Sequence, residues 1–307
     1  MSTIKVGYLG LKTERGPDTT TFGYMAAEKH FSIQRDSDEV AFINYPAHEE
    51  ICYAVARQEL DQGVVAVENS VIGFVPETIR AVCDAEMYGG LRVCAEVVIP
   101  IKLYYLRKEI REDPPKVVLS HSAGLTQCSR FIRSLRIQGI DTDLRRSTGE
   151  AAYEANQNPE YAVLASSRAE NAYGLVRIEQ RSVTDHKTAQ TRFWVLGKQH
   201  AQKTGKDKSA FLVSLSKDEA GALWKMLGCF FGTETEDAVY RQKEKSSNLL
   251  YVYPLPIPGR PWEYNFLLEF SGHVNDPEIH EGLDSFMMSG LSLMHARFLG
   301  SYPSETI

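Results

Sequence analysis

The stretch "AQTRFWVLGK", residues 189–198, sets a hydroxyl and a guanidinium, Thr191 and Arg192, at the mouth of an otherwise apolar strand. Four other places put polar groups directly after a short apolar run. They are Glu68, Asn69 and Ser70; Ser120, His121 and Ser122, with Gln127 about a turn and a half further on; Ser147 and Thr148; and Ser166, Ser167 and Arg168. Hydroxyls and amides beside helix N-termini, at the carboxyl ends of strands, are the makings of an anion pocket. Each place also has a structural explanation, because Ser, Thr and Asn favour helix N-caps. Ser147 with Glu150 spells a capping box. His121 stands at a strand end, where it serves as a hydrogen-bonded structural residue as readily as an acid or base. "HEEIC" at 48–52 lacks the second histidine of a zinc helix and reads as the start of an amphipathic helix.

The elements that must position these groups alternate through the first two-thirds of the chain. Apolar runs such as "IKVGYLG", "EVAFINY", "QGVVAVE", "EVVIPIKLYYL", "KVVLS", "YAVLAS" and "TRFWVLG" predict strands. Between them "TFGYMAAEKHF", "HEEICYAVARQEL", "SAGLTQCSRFIRSL" and "STGEAAYEANQN" predict helices, an α/β pattern of parallel strands joined by crossovers. The polar stretch "GKQHAQKTGKDK" reads as a linker. After it the order strand, helix, two strands, helix, strand predicts a ferredoxin-like module of about 100 residues.

Composition narrows the class. The 307 residues are 43% hydrophobic and 24% charged with a net charge of −6, enough for a sizeable core and without the basic face that nucleic acid requires. No segment approaches the roughly 20 apolar residues of a membrane span, and the N-terminus has no secretory-signal pattern, so the expectation is a cytoplasmic protein. The five cysteines fall outside C-x-x-C spacing, which predicts neither a disulfide framework nor a metal site. Nothing resembles a Gly-rich nucleotide loop.

The order of the pieces says more than any one of them. Tyr8-Leu9-Gly10, Thr21-Phe22, Glu68-Asn69-Ser70 with Glu77-Thr78, Ser120-His121, Gln127-Cys128, Ser147-Thr148, Tyr173-Gly174-Leu175 and Thr191-Arg192-Phe193 occur in the sequence order of the prephenate dehydratase family, which the chain resembles along nearly its full length. "GALW", "SGHVNDPEI" and "FLGSYP" resemble the regulatory ACT module appended to that family's catalytic region.

The resemblance implies an α/β fold: a two-lobed, periplasmic-binding-protein-like catalytic region over 1–198, a linker over 199–208, and a βαββαβ ACT domain over 209–307. It implies a lyase that converts prephenate to phenylpyruvate with loss of water and carbon dioxide, using no cofactor and no metal. Thr191 would be the catalytic hydroxyl. Thr21, Asn69, Ser70, Ser120, Gln127, Ser147 and Thr148 would line the substrate pocket, with His121 an accessory donor and Arg192 and Phe193 holding substrate or excluding water. Gly221, Ala222 and Leu223 would belong to an effector site for an aromatic amino acid such as phenylalanine. A homodimer or homotetramer would follow from the pairing of ACT modules.

The sequence departs from the family pattern in places. The compact glycine-rich start is stretched to "GLKTERGPDTTTF", which leaves open which of Thr19, Thr20 and Thr21 faces the ligand; Thr21 is taken here. "HPQAL" becomes "HSAGL", Ala189 replaces an asparagine before the "TRF" threonine, and the Glu-Ser-Arg-Pro element tied to phenylalanine inhibition is absent. Prephenate decarboxylation without dehydration, arogenate as substrate, and a non-catalytic aromatic amino acid sensor stay open as alternatives.

Overall fold

Short β-branched runs form the strands of three sheets, in a computed structural model that describes residues 3–11, 18–33, 40–215, 221–231, 247–288 and 293–305. The first lobe is built from β1 (Ile4–Leu9), α1 (Phe22–Ile33), β2 (Val40–Tyr45), α2 (His48–Ala56), β3 (Gln62–Asn69), the two-residue β4 (Gly73–Phe74), α3 (Pro76–Gly89) and β5 (Arg92–Pro100). The second holds β6 (Tyr104–Arg107), β7 (Val117–Ser120), α4 (Ser122–Gln127), α5 (Ser129–Ile137), β8 (Asp141–Leu144), α6 (Thr148–Gln157), β9 (Tyr161–Ala165), α7 (Arg168–Tyr173) and β10 (Val176–Arg177). The chain then returns to the first sheet as β11 (Gln190–Gly197). Two crossings thus join the lobes, just after β5 and just before β11.

The first sheet runs β2-β1-β3-β11-β5 and the second β10-β6-β9-β7-β8. β1, β2 and β3 are parallel, as are β7, β8 and β9. β11 lies antiparallel to β3, and β6 antiparallel to β9, so both sheets are mixed rather than all-parallel. The reason is topological: β11 arrives from the other lobe and enters its sheet from the opposite end. Apolar periodicity reveals a strand but not its direction. Close approach of α2 to the first sheet depends on Gly63, where a Cβ would sit 2.5 Å from Ile51 Cγ2. The second lobe packs Leu106, Leu119 and Val163 of its sheet against Ala151, Ala152 and Ala155 of α6.

Two predicted elements divide. "EVVIPIKLYYL" becomes β5 and β6 in different sheets, broken at Pro100–Leu103. The helix predicted over 122–135 breaks at Cys128 (φ −119°, ψ 30°) into α4 and α5. Asp185 accepts from Ser129 Oγ at 2.6 Å and from Arg130 N at 3.2 Å, so the second helix has its own cap, supplied from 55 or more residues away.

The C-terminal unit comprises Lys198–Ile307 together with Glu86–Glu96. It contains β12 (Asp207–Leu215), α8 (Ala222–Phe231), β13 (Leu249–Pro256), β14 (Tyr264–Ser271), α9 (Pro277–Met288) and β15 (Leu293–Pro303). The sheet order β13-β14-β12-β15, all neighbours antiparallel, is the ferredoxin-like arrangement. Phe211, Val213, Leu268 and Phe270 of the sheet pack on Met226 and Ile279 of the two helices. Among the described residues, no helix is long and apolar enough to cross a membrane.

Candidate active site

Five helices begin around one cavity of about 450 Å³ in the two-lobed unit. Thr21 and Phe22 of α1, Ala47 and His48 of α2, Val75 and Pro76 of α3, His121 and Ser122 of α4, and Ser147 and Thr148 of α6 all line it. Each helix presents first-turn N–H groups with no intrahelical partner and the positive end of its dipole. Three of the starts are capped by side chains: Thr21 Oγ1 accepts from Tyr24 N at 3.1 Å, His121 Nδ1 from Ala123 N at 3.3 Å, and Ser147 Oγ from Glu150 N at 3.0 Å. The capping reading and the pocket reading of these residues are therefore both realised. Glu150 accepts from Arg146 N rather than the Ser147 N–H, so the box is offset by one residue.

The wall opposite carries Thr191. Asn69 ends β3 directly beside Thr191 of β11, and its carboxamide oxygen accepts from Val71 N at 2.9 Å and Ile72 N at 3.1 Å. That turn fixes which way the amide faces. Its NH₂ group therefore points at Thr191 Oγ1, 2.8 Å away, with Gln127 Oε1 at 3.4 Å. Because Thr191 accepts this bond, its own proton is left to donate elsewhere. Gln127, buried, donates to Ala123 O at 3.2 Å, and Phe193 lines the cavity one residue beyond Arg192.

The remaining expected residues fall elsewhere. Arg192 does not line the cavity; it is buried with Nε 2.9 Å from Glu68 Oε2, because alternation along β11 turns it to the face opposite Thr191. Ser70 also lies off the lining, accepting from Gln190 N at 3.0 Å, and Ser120 donates to Leu164 O at 2.8 Å inside the second lobe. Thr20 Oγ1 donates to Asp18 Oδ1 at 2.6 Å and Thr19 is exposed, so of the three threonines Thr21 is the one on the cavity. Gly221 (φ +83°) precedes α8, while Ala222 and Leu223 begin it, in the C-terminal unit.

A sequence model of the family described as prephenate dehydratase matches residues 14–201, which include every residue of this wall and these helix starts. The chain belongs to the prephenate dehydratase family. It is 28% identical over 304 residues to the bifunctional chorismate mutase/prephenate dehydratase of Aquifex aeolicus, covering 99% of this chain and 75% of that one. It is also 28% identical to the prephenate dehydratase of Amycolatopsis methanolica, covering 81% and 76% respectively. The fold matches the crystal structure of prephenate dehydratase from Arthrobacter aurescens in complex with L-Phe, with a TM-score of 0.75 and 22% identity over 98% of this chain and 90% of that one.

The lining also holds titratable or charged groups that the sequence reading does not place in the site, among them His48, Glu77 and Arg146. His48 has no second histidine at metal-binding spacing; His121, from another lobe, acts on its charge. Burial and that neighbour hold its pKa down to about 4. Burial likewise lowers that of His121, with Glu77 acting in the opposite sense. Arg146 is the permanent cation of the described lining, yet its guanidinium already pairs with Glu150 at 2.9 Å. No group of metal-ligating side chains was found among the described residues.

Proposed function

We propose that this enzyme decarboxylates and dehydrates prephenate in the 450 Å³ cavity, with the Thr191 hydroxyl as the donor to the departing oxygen. The observation that carries the reading is the bond from Asn69 to Thr191, which leaves the threonine proton free to point into the pocket. The ring carboxylate leaves as carbon dioxide, its bonding pair enters the ring, and the C–O bond at the far ring carbon breaks. The released oxygen takes a proton, supplied overall by solvent and relayed by hydrogen bonding to Thr191, and departs as water. Aromatisation to phenylpyruvate drives the step, so no redox partner is needed. A hydrogen bond that strengthens as charge builds on the leaving oxygen acts mainly in the transition state. The five helix N-termini suit a substrate with two carboxylates.

The roles follow from position. Asn69 orients Thr191, Gln127 steadies Asn69, and Phe193 with the β3–β11 wall keeps water from the ring. Thr21, Ser147 and Thr148 present hydroxyls and N–H groups to the carboxylates. The ferredoxin-like unit is read as an ACT regulatory module, pairing copies of the chain in a cytoplasmic dimer or tetramer and answering an aromatic amino acid at Gly221–Leu223.

The test is product identification with prephenate and, separately, arogenate at neutral pH, with Thr191→Val alongside. Phenylpyruvate from the wild type, lost in the variant, supports the reading. A non-aromatic decarboxylated product, or binding without turnover, overturns it. Titration with phenylalanine, tyrosine and tryptophan while following rate and molecular mass tests the regulatory assignment.

A further inference from the structure

The cavity is built for an anion yet holds little fixed positive charge. Among its described lining residues Arg146 is the permanent cation, and its guanidinium is engaged by Glu150; Glu77 adds a carboxylate. A dianion entering here needs compensation from helix dipoles or from groups that gain protons.

The start of α2 offers both. Its N-cap, Ala47, is extended (φ −146°, ψ 149°) and gives no side-chain hydrogen bond, in contrast to the capped starts of α1, α4 and α6. The first-turn N–H groups of this nine-residue helix thus face the cavity without a side-chain acceptor. His48, the first residue of α2, lines the same place, and its Nδ1 is enclosed and has no hydrogen-bond partner among the described residues. An enclosed, unpartnered imidazole nitrogen costs free energy, a cost that a change of protonation or partner at this ring can relieve. His121 faces it from the start of α4. Its Nδ1 is spent on Ala123 N, which leaves Nε2 as the N–H donor of the neutral ring.

We infer that the α2 N-terminus, His48 and His121 form a subsite that receives one substrate carboxylate and takes up a proton as it does so. This rests on the proposed reaction and deepens it. Burial disfavours the charged form of both imidazoles, and His121 further opposes a charge on His48, so without an adjacent anion both favour the neutral ring. A carboxylate beside the His48 ring reverses that preference, because an adjacent anion favours the imidazolium. The charged groups facing this pair are Glu77 from α3 and Arg146 before α6; Glu49 and Glu50, on α2 itself, are exposed. Glu77 assists proton gain at His121. In the pH window between the free and liganded pKa values, binding that takes up one proton weakens about tenfold per unit rise in pH.

The experiment is calorimetric titration of prephenate into the full-length Thr191→Val protein, whose turnover should be slow on the time scale of the titration, in two buffers of different ionisation enthalpy. Proton uptake of about one per site at pH 7, abolished in His48→Gln/Thr191→Val with affinity at least tenfold weaker, is the expected result. In the otherwise wild-type protein His48→Gln should raise KM and flatten its pH dependence while kcat stays within about threefold. Unchanged proton uptake in the His48→Gln background overturns the subsite, as does unchanged affinity. Loss of binding with an altered circular dichroism spectrum is resolved by His48→Asn, and an equally misfolded second variant would assign His48 to structure and overturn the inference. The calorimetric readouts do not require turnover of prephenate, so failure of the dehydratase reading appears separately, as binding without phenylpyruvate.

Discussion

Asn69 and Thr191 are direct cross-strand neighbours on β3 and β11, joined by a 2.8 Å bond in which the amide donates and the hydroxyl accepts, across 122 residues of sequence. The direction of that bond matters more than its length. It makes Thr191 a donor toward the cavity, and reversing it would spend the proton inside the wall.

Asn69→Asp should reverse it, since a carboxylate only accepts and would take the Thr191 proton while repelling an anionic substrate. The expected outcome is a kcat lowered by about 10²–10⁴-fold, the range of a lost acid, together with a raised KM. Thr191→Val, which keeps the shape, should lower kcat comparably with KM nearly unchanged, and Thr191→Ser should retain a measurable part of the rate. Steady-state kinetics of the three variants checks this.

Arg192 pairs with Glu68 on the face away from the cavity, with only 5% of its side chain exposed. Arg192→Met strands a partly buried carboxylate, at a cost of about 2–4 kcal/mol allowing for the exposure of Glu68. Urea unfolding should show that loss, with KM of the folded enzyme within about threefold. A tenfold rise in KM at unchanged stability would instead make Arg192 a substrate ligand.

Ser70 and Ser120 make the same distinction for hydroxyls. Ser120→Ala removes the donor to Leu164 O and should cost about 1 kcal/mol of stability, and Ser70→Ala less, both with KM inside twofold of wild type. Thermal denaturation and initial-rate measurements on the two variants suffice.

Asp18 is buried; its Oδ1 accepts from Thr20 N and Oγ1, while Oδ2 is enclosed without a hydrogen-bond partner among the described residues. Desolvation raises its pKa, partly offset by the bonds from Thr20. A carboxyl whose pKa is higher folded than unfolded holds its proton more tightly in the native state. It therefore costs no stability below the unfolded value and becomes destabilising as pH rises through the folded one. Asp18→Asn keeps the Thr20 bonds, so its Tm should equal that of wild type near pH 3.5 and exceed it increasingly toward neutrality. A Tm difference independent of pH would contradict this.

Gly149, in the first turn of α6, tests the same contact from the other side. A Cβ there would lie 1.9 Å from Asp18 Oδ2, a carboxylate already held by Thr20. Gly149→Ala should cost about 1–3 kcal/mol through forced displacement, despite the better helix propensity of alanine. Chemical denaturation should report it, and Asp18→Asn should not rescue it, because the amide is as bulky.

Particular residues show how far the sequence could be read. Thr21, His121 and Ser147 were legible because a helix cap is local chemistry, written within three residues, and each is found capping its helix at the cavity. Asn69 and Thr191 were legible through the order of motifs. Arg192 reads as a site residue by adjacency to Thr191, whereas strand alternation sends adjacent side chains to opposite faces and Arg192 pairs with Glu68 away from the cavity. His48 is not legible as a site residue because His121, the histidine that acts on its charge, is 73 positions later, and no spacing rule spans a cleft. The break at Cys128 was invisible since its cap, Asp185, comes from elsewhere in the chain.

By itself the sequence determined the strands, most helix starts, the order of the ferredoxin-like unit and the family, because periodicity, capping and motif order are properties of nearby residues. The tertiary structure alone decided the direction of β11, the face Arg192 takes, the direction of the Asn69–Thr191 bond and the meeting of His48 with His121. Those depend on the chain leaving the first sheet after β5 and returning as β11, and long-range encounters of that kind are set by packing rather than by any local pattern.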